Sequence, residues 1–440
     1  MSRLFLNGSE EKEVMIYWIY NLLFPVVFLF FLPGLIIKLI RRPGWKKTFA
    51  ERFGIYGADR VAELKNFHGA VWIHSVSVGE TQIALDLIKR WKQLYPERKF
   101  VISTTTTTGQ QLARDKAGEE TTVIFCPIDF IWIVNRVIRL LQPSMLVVLE
   151  TEIWPNMINR MAKRTGKVFL INARMSDKSS RGYYRFRWWF GQVLRRFTLI
   201  CLQSDTDRDR FQAVCPDAHL MVTGNLKFDR SMPEKLPQIE LEEYFGPGRF
   251  RILLASCTHP GEEKLIAATY RKLRSEFDDL RLILAPRHSE RGAEVAAVME
   301  ELGVKYCRRT KGRNGAEPVE CLVADTTGEM FGFIKLAEIV IMGKSLAGHN
   351  EGHNLIEPAM FAKPIVTGSV ITNFRFILDV LKKEDAVLTV AADAELEGIL
   401  RRLLADAAFG VELGRRAEKA ISRHRGALDR TINLLENKIE

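Results

Sequence analysis

Ala70-Val71-Trp72-Ile73-His74-Ser75-Val76-Ser77-Val78-Gly79-Glu80 is the stretch that decides the architecture. Ala70–Ile73 is an unbroken apolar run of strand length, and a small-residue loop follows it. From Thr81 to Leu94 the pattern becomes helical. A buried strand feeding a helix through a short loop is half of a βαβ unit, whose strand belongs in a parallel sheet covered on both faces. The rhythm continues with strands at Phe100–Ser103, Val123–Phe125, Met145–Leu149 and Val168–Ile171, and a helix near Gln110–Lys116. Residues 226–249 break it with Pro233, Pro237, Gly246, Pro247, Gly248 and an acidic cluster, as a linker would. It restarts with strands at Arg251–Ala255, Leu280–Ala285, Cys321–Ala324, Ile339–Met342 and Pro364–Thr367, and helices at Gly261–Arg274 and Arg291–Leu302. The pattern predicts an α/β chain of two doubly wound, Rossmann-like domains facing a cleft, with ligands at the carboxyl ends of the strands. The predicted divisions are an anchor at 1–43, a first domain at 44–230, a linker at 231–249 and a second domain at 250–440.

At 440 residues the chain is long enough for two to three domains, each with a full core. It is 47% hydrophobic and 27% charged, which excludes a disordered or collagen-like chain. Lys plus Arg is 64 against 53 Asp plus Glu, a net charge of +11 that favours anionic partners. The positive charge is spread out and no nucleic-acid-binding module is visible, so nucleic acid is not an expected partner. Six cysteines stand at 126, 201, 215, 257, 307 and 321 with no C-x-x-C pair, which fits a reducing compartment.

No residue from Val14 to Ile37 is charged, and the stretch is long enough to span a bilayer or insert deeply from one side. Tyr17, Trp18 and Tyr20 sit where an interfacial aromatic belt would, and Lys38, Arg41, Arg42, Lys46 and Lys47 follow. The positive-inside rule then predicts an inner-membrane protein with its large C-terminal part on the cytoplasmic side.

Several stretches carry chemistry. Glu80 lies at a strand's carboxyl edge, as a general base or as a first-turn residue complementing the helix dipole. Ser103–Gly109, with threonines at 104–108, forms either an anion- or sugar-binding turn or a capped β–α turn. Glu150 and Glu152 follow the apolar strand Met145–Leu149, where carboxylates are costly unless paired or used. Arg181–Phe197 predicts one amphipathic helix, with Phe186, Trp189, Phe190, Val193, Leu194 and Phe197 on one face and Arg185, Arg187, Arg195 and Arg196 beside it. Such a helix suits an anionic membrane interface, or a core-facing position with a solvated basic side. Arg287 ends a strand of the second half and can clamp a phosphate. Asp325–Glu329 is a strand-to-helix turn able to present N–H groups to phosphate. In Gly348–Pro358, Glu357 can hold a ribose, while His349 and His353 sit in a Gly-rich context unlike a metal-binding helix.

Together these stretches resemble the bacterial Kdo (3-deoxy-D-manno-oct-2-ulosonic acid) transferases of lipopolysaccharide synthesis. The resemblance rests on H-S-V-S-V-G-E (74–80), E-T-E-I-W-P-N (150–156), N-A-R-M-S-D (172–177), G-N-L-K-F-D (224–229), P-R-H (286–288), D-T-T-G-E (325–329) and H-N-L-I-E-P (353–358). It runs from the N-terminus to about Phe374. It implies the GT-B fold and metal-independent, inverting transfer of Kdo from CMP-Kdo to a lipid A precursor, with no cofactor. Glu80 matches the family's base, and Glu152 and Lys227 match its transition-state stabilisers. Pro286, Arg287, Thr327, Gly328, Glu329, Asn354, Leu355, Ile356 and Glu357 match its CMP-contacting positions. The chain departs from the pattern where Leu355 replaces a proline, where Ser369-Val370 follows Thr367-Gly368 and removes a histidine, and where Gly343-Lys344-Ser345 replaces a G-G-S turn. The alternatives are another membrane-associated GT-B transferase using a UDP-sugar and a lipid carrier, and an inactive membrane-anchored binding relative.

Overall fold

The computed structural model describes residues 8–40, 45–230, 232, 235–312 and 317–438. The chain forms two compact units, Met1–Arg230 with Arg425–Glu440, and Ser231–His424.

Unit 1 begins with helix α1 (Gly8–Ile40). Its sheet has seven strands: β1 (Val71–Ser75), β2 (Phe100–Thr104), β3 (Thr121–Phe125), β4 (Met145–Leu149), β5 (Val168–Ala173), β6 (Leu199–Leu202) and β7 (Leu220–Val222). Their order is β3-β2-β1-β4-β5-β6-β7 and every pairing is parallel. The strands β1 to β5 are buried at every residue, because both faces are covered. Alternate side chains therefore enter two separate apolar clusters: Val71 and Ile73 pack in one, Trp72 in the other. The neighbours β1 and β4 connect to opposite sides of the sheet, so the crevice at their carboxyl ends is the topological switch point. The connecting helices include α2 (Val78–Leu94), α3 (Thr107–Lys116), α4 (Pro155–Thr165), α5 (Asp177–Arg185) and α6 (Arg187–Leu194).

Unit 2 repeats the design with β8 (Arg251–Thr258), β9 (Leu280–Pro286), β10 (Tyr306–Arg308), β11 (Cys321–Val323), β12 (Ile339–Met342), β13 (Ile365–Gly368) and β14 (Leu388–Val390). The order is β10-β11-β9-β8-β12-β13-β14, again all parallel, with the switch point between β8 and β12. Helix α7 (Glu262–Arg274) follows β8, and the short α8 (Ile356–Met360) precedes β13.

Three sequence expectations need correction. The second domain does not extend to residue 440: the last helix, α9 (Ala427–Glu436), belongs to unit 1. Its apolar face, with Leu428, Ile432 and Leu435, completes the cluster of Ile83, Leu87 and Trp91. Trp91 Nε1 donates to Glu436 at 2.6 Å, and Arg90 pairs with Asp429 at 2.6 Å. The segment 231–249 is not purely a linker either, because Tyr244 and Phe245 are buried in a short helix, Glu242–Phe245, of unit 2. The predicted helix Arg181–Phe197 is two helices, broken at Phe186, which takes φ −107° and ψ 30°. Val193, Leu194 and Phe197 are buried, as in the core-facing alternative, but Phe186 is exposed.

A helix does form over the uncharged stretch Val14–Ile37. Among the described residues, however, no helix is long and apolar enough to cross a membrane. The side chains of Val14, Phe31, Pro33 and 35–37, and the basic flank at 38, 41, 42, 46 and 47, lie outside what the structure describes. Within Met15–Phe30 the helix has two sides. Ile16 and Tyr17 are buried against unit 1, while Trp18, Leu22 and Phe30 are 73%, 74% and 81% exposed.

Candidate functional site

In unit 1 the switch point is acidic. Ser77 caps α2, its Oγ accepting from Glu80 N at 3.3 Å and donating to Glu80 Oε1 at 2.9 Å. Val76 N donates to Glu80 Oε2 at 2.8 Å. This reciprocal arrangement is a capping box, the structural role that a first-turn Glu offers. It uses two of about four lone-pair directions on the carboxylate, so acceptor capacity remains. Burial raises the Glu80 pKa above the usual carboxylate range, the Val76 hydrogen bond opposes the rise, and the Glu150 charge adds to it.

β4 ends at Leu149, and Glu150 turns the chain in the left-handed region with φ +55°. Such a φ is uncommon for a non-glycine residue and is held here from both sides. Lys227 Nζ lies 3.2 Å from Glu150 Oε1, and Arg174 Nε lies 3.3 Å from Oε2. Glu152 follows immediately. Burial, then the charges of Glu80 and Glu150, push its pKa up to about 7. Glu80, Glu152 and Lys227, far apart in sequence, are thus brought to one crevice. Lys227 is paired with Glu150, however, and the sequence assigned Glu150 no role beyond a costly carboxylate.

Local side-chain bonds fix this arrangement. Asn225 caps the 3₁₀ turn Leu226–Asp229, its Oδ1 accepting from Lys227 N at 3.0 Å. The buried Asn172, also left-handed with φ +52°, accepts from Leu226 N at 3.0 Å. The N-A-R and G-N-L-K segments are thereby tied together, which places Arg174 and Lys227 on Glu150. The threonine run forms a capped β–α turn. Thr106 caps α3 through Gly109 N and donates to Val76 O at 3.0 Å, buttressing the loop that holds Glu80.

In unit 2 the switch point is basic. β8 leads into His259, and β12 leads into Lys344, which is left-handed with φ +60°. The wholly buried Glu262 binds the two loops together, accepting from His259 N at 2.8 Å, Lys344 N at 2.8 Å, Ser345 N at 2.9 Å and Leu346 N at 2.9 Å. Gly343 allows this approach, since a Cβ there would sit 2.4 Å from Cys257 O. Four imidazoles gather at the crevice. The rings of His288, His349 and His353 have centroids 6.1, 5.6 and 5.4 Å from that of His259. The Nε2 atoms of His259 and His353 are 3.2 Å apart. Burial, reinforced by surrounding cations, lowers His259 to about 4 and His353 to about 3. The sequence did not single out His259, and marked Lys344 only as a departure from the family pattern. The signal was there: Ser256–Glu262 stands in unit 2 where Ser75–Glu80 stands in unit 1, a strand, a short loop and a helix-opening Glu.

The expected CMP-contacting positions surround the same sheet edge. Pro286 ends β9, and the exposed Arg287 follows with its backbone N–H donating to Thr258 O at 3.1 Å. Thr327 and Gly328 are exposed in the turn after β11, with Gly328 at φ +87°. The Glu329 carboxylate pairs with Arg309 at 2.8 Å, which holds its pKa low. Asn354 Oδ1 accepts from Ile356 N at 3.2 Å and so opens α8. Leu355 and Ile356 are wholly buried, so only their backbone is available to a ligand. Glu357 stands half-buried in the first turn of α8. Among the described residues no group of three or more His, Cys, Asp or Glu is arranged to hold a metal ion.

Two parallel-sheet α/β units, each with a charged switch point, make a GT-B-like fold, and a solved structure agrees. It is the glycotransferase of kitacinnamycin, with a TM-score of 0.53, 12% identity, and coverage of 85% of this chain and 100% of that one. The family described as 3-deoxy-D-manno-octulosonic-acid transferase (kdotransferase) matches residues 47–230. A 3-deoxy-D-manno-octulosonic acid transferase of Haemophilus influenzae is 30% identical over 91% of this chain and 93% of its own length. One of Bordetella pertussis is 31% identical over 90% and 94%. The chain belongs to the 3-deoxy-D-manno-octulosonic acid transferase family.

Proposed function

We propose that this chain transfers Kdo from CMP-Kdo to a hydroxyl of a lipid A precursor, with inversion. The observation that carries the reading is the acidic switch point of unit 1, where Glu80 and Glu152 stand with Lys227 and Arg174 on Glu150. The ionised Glu80 takes the proton of the acceptor hydroxyl, and its raised pKa makes it the stronger base. The acceptor oxygen forms a bond to the anomeric carbon of Kdo. The bond from that carbon to the phosphate oxygen breaks, its electron pair stays on the phosphate, and CMP leaves. The transition state is oxocarbenium-like, and the carboxylates beside it stabilise the positive carbon. Glu152, at about 7, shares a proton with the site around neutral pH.

The donor belongs to unit 2. Arg287 and Lys344 supply fixed positive charge for the phosphate, the turn at Gly328 offers backbone N–H groups, and Glu357 holds the ribose. No divalent ion and no cofactor takes part in this scheme.

The lipid acceptor requires contact with a membrane, and the exposed side of α1 suits it. Tyr20 of α1 lies 6.2 Å from Trp189 of α6, and Phe130, against which Phe24 and Phe28 pack, stacks at 4.7 Å on the exposed Trp132. Trp188 and the basic residues Arg185 and Arg187 are exposed nearby in sequence on α5 and α6, as is Arg195 just after α6. The contacts of Tyr20 to Phe28 with unit 1 leave only Leu29–Ile40 beyond them, about 18 Å of helix, against a hydrocarbon core of about 30 Å. Insertion from the cytoplasmic face of the inner membrane, without a full crossing, fits this geometry.

Product mass tests the reading. Purified protein is incubated with a tetraacyl lipid A precursor and a CMP-Kdo supply. Acceptor mass rising in Kdo steps is the expected result. No Kdo step from folded protein overturns it and turns attention to UDP-sugars or a binding role.

A further inference from the structure

The N-terminal helix does more than lie beside unit 1. Asp129, wholly buried before the helix that follows β3, accepts from Asn156 N at 2.9 Å and Met157 N at 2.8 Å. These are first-turn N–H groups of α4, whose N-cap residue Trp154 provides no side-chain cap. Asp129 is therefore the cap of α4, supplied from another loop, and it faces the positive end of that helix. The Asn156 side chain returns the bond, donating to Asp129 O at 2.6 Å.

Two residues of α1 close this network. Tyr20 Oη donates to Asp129 Oδ2 at 2.9 Å. Asn21 and Asn156 exchange amide bonds, Asn21 Nδ2 to Asn156 Oδ1 at 3.0 Å and Asn156 Nδ2 to Asn21 Oδ1 at 2.8 Å. Asn21 Nδ2 also donates to Tyr17 O at 2.8 Å, which fixes its amide on the helix. Four residues from three chain segments thus hold one another, and Asn156 stands four residues after Glu152 in the same loop and helix start. A fully satisfied buried network has one geometry, whereas a partly satisfied one has several.

We infer that Tyr20 and Asn21 are positioning residues for Glu152, acting through Asp129 and Asn156, so that the seating of α1 on unit 1 sets the loop that carries Glu152. The inference rests on the role proposed for Glu152. Its consequence is that the membrane helix is coupled to the reaction as well as to the lipid. Burial pushes Asp129 up to about 7, against the pull of its three donors. Each donor removed makes its ionised form harder to keep, and with it the cap. Displacement of a reacting group by about 1 Å can cost on the order of 100-fold in rate, so a modest loosening is measurable.

The test uses the full chain in vesicles, wild type beside Tyr20→Phe and Asn21→Ala. Tyr20→Phe keeps the ring against Phe24 and Trp189 and deletes only the donor. Expected are amide exchange about tenfold faster at Asn156 and Met157, kcat lowered about fivefold to tenfold, and acceptor KM within twofold. The pH profile of kcat should shift, while vesicle binding stays unchanged. Asn21→Ala leaves the Tyr20 bond in place and gives the same direction if Tyr20→Phe folds poorly. Unchanged exchange with unchanged kcat overturns the inference, and so does a rise in KM alone, which would make α1 a lipid anchor only. If the wild type transfers no Kdo but exchange still accelerates in the variants, the positioning contact stands and the proposed reaction fails.

Discussion

In unit 1 the switch-point strands β1 and β4 run out into carboxylates, Glu80, Glu150 and Glu152. In unit 2 the equivalent strands β8 and β12 run out into His259 and Lys344, with His288, His349, His353 and Arg287 around them. One fold thus builds unlike crevices at the same topological point, one lined by carboxylates and the other by Arg287, Lys344 and imidazoles of which His259 and His353 are held neutral, and the difference lies in a few loop residues. Parallel sheets present strand ends and helix N-termini to that point whatever the loops contain. An acidic crevice suits removal of a proton and support of a positive carbon. A basic one suits a nucleotide phosphate.

Removing the base breaks the comparison hardest. Glu80→Gln should lower kcat by about a thousandfold while CMP affinity, proposed to lie in unit 2, stays within twofold. Single-turnover rates and calorimetric titration with CMP measure the two sides. Equal losses in both would mean that the units do not divide the work.

Next comes the cation on the acidic side. Lys227→Met leaves Glu150 with Arg174 alone, so its uncompensated charge should raise Glu152 further. We expect kcat to fall about thirtyfold and the rate profile to move to higher pH, read from kcat between pH 5 and 9. On the basic side, Arg287→Ala should weaken CMP binding about tenfold with kcat changed less. Arg287→Lys should restore it poorly, because an ammonium lacks the guanidinium fork.

The smallest effect has opposite signs in the two units. Glu152 has a folded pKa of about 7, raised above its unfolded value, so its favourable contribution is complete below the unfolded pKa and is lost as pH rises towards 7. Glu152→Gln should therefore gain stability over wild type across that window, by about 1–2 kcal/mol once partial solvent screening is allowed for. His353 is depressed to about 3, so its contribution is present above the unfolded pKa and is lost as pH falls. His353→Ala should gain on wild type as the solution is acidified from about 6.5. Denaturant midpoints at pH 4.5, 6 and 7.5 separate the two trends, and parallel trends would refute the charge assignment of one crevice.

Much of this was legible in the residues. Unbroken apolar runs such as Met145–Leu149 and Ile339–Met342 coincide with β4 and β12 at both ends. The three-residue edge strands β7 and β10, only partly buried, were not seen, whereas the equally short but wholly buried β11 was. Glu80, Glu152 and Lys227 were singled out through family motifs. Their partners Glu150 and Arg174 were not assigned as a pair, since the left-handed turn at Glu150 leaves no mark in its residue type.

By itself the sequence determined the βαβ rhythm, the break between two halves, the family and the positions of the candidate side chains. Those depend on periodicity and local composition, which are properties of the chain. Only the tertiary structure decided that α9 returns to unit 1, that Lys227 meets Glu150, that four histidines share one crevice and that Tyr20 reaches Asp129. Each joins residues tens to hundreds of positions apart, through burial of an apolar face or satisfaction of a buried polar group. No local pattern records which distant segment supplies the partner.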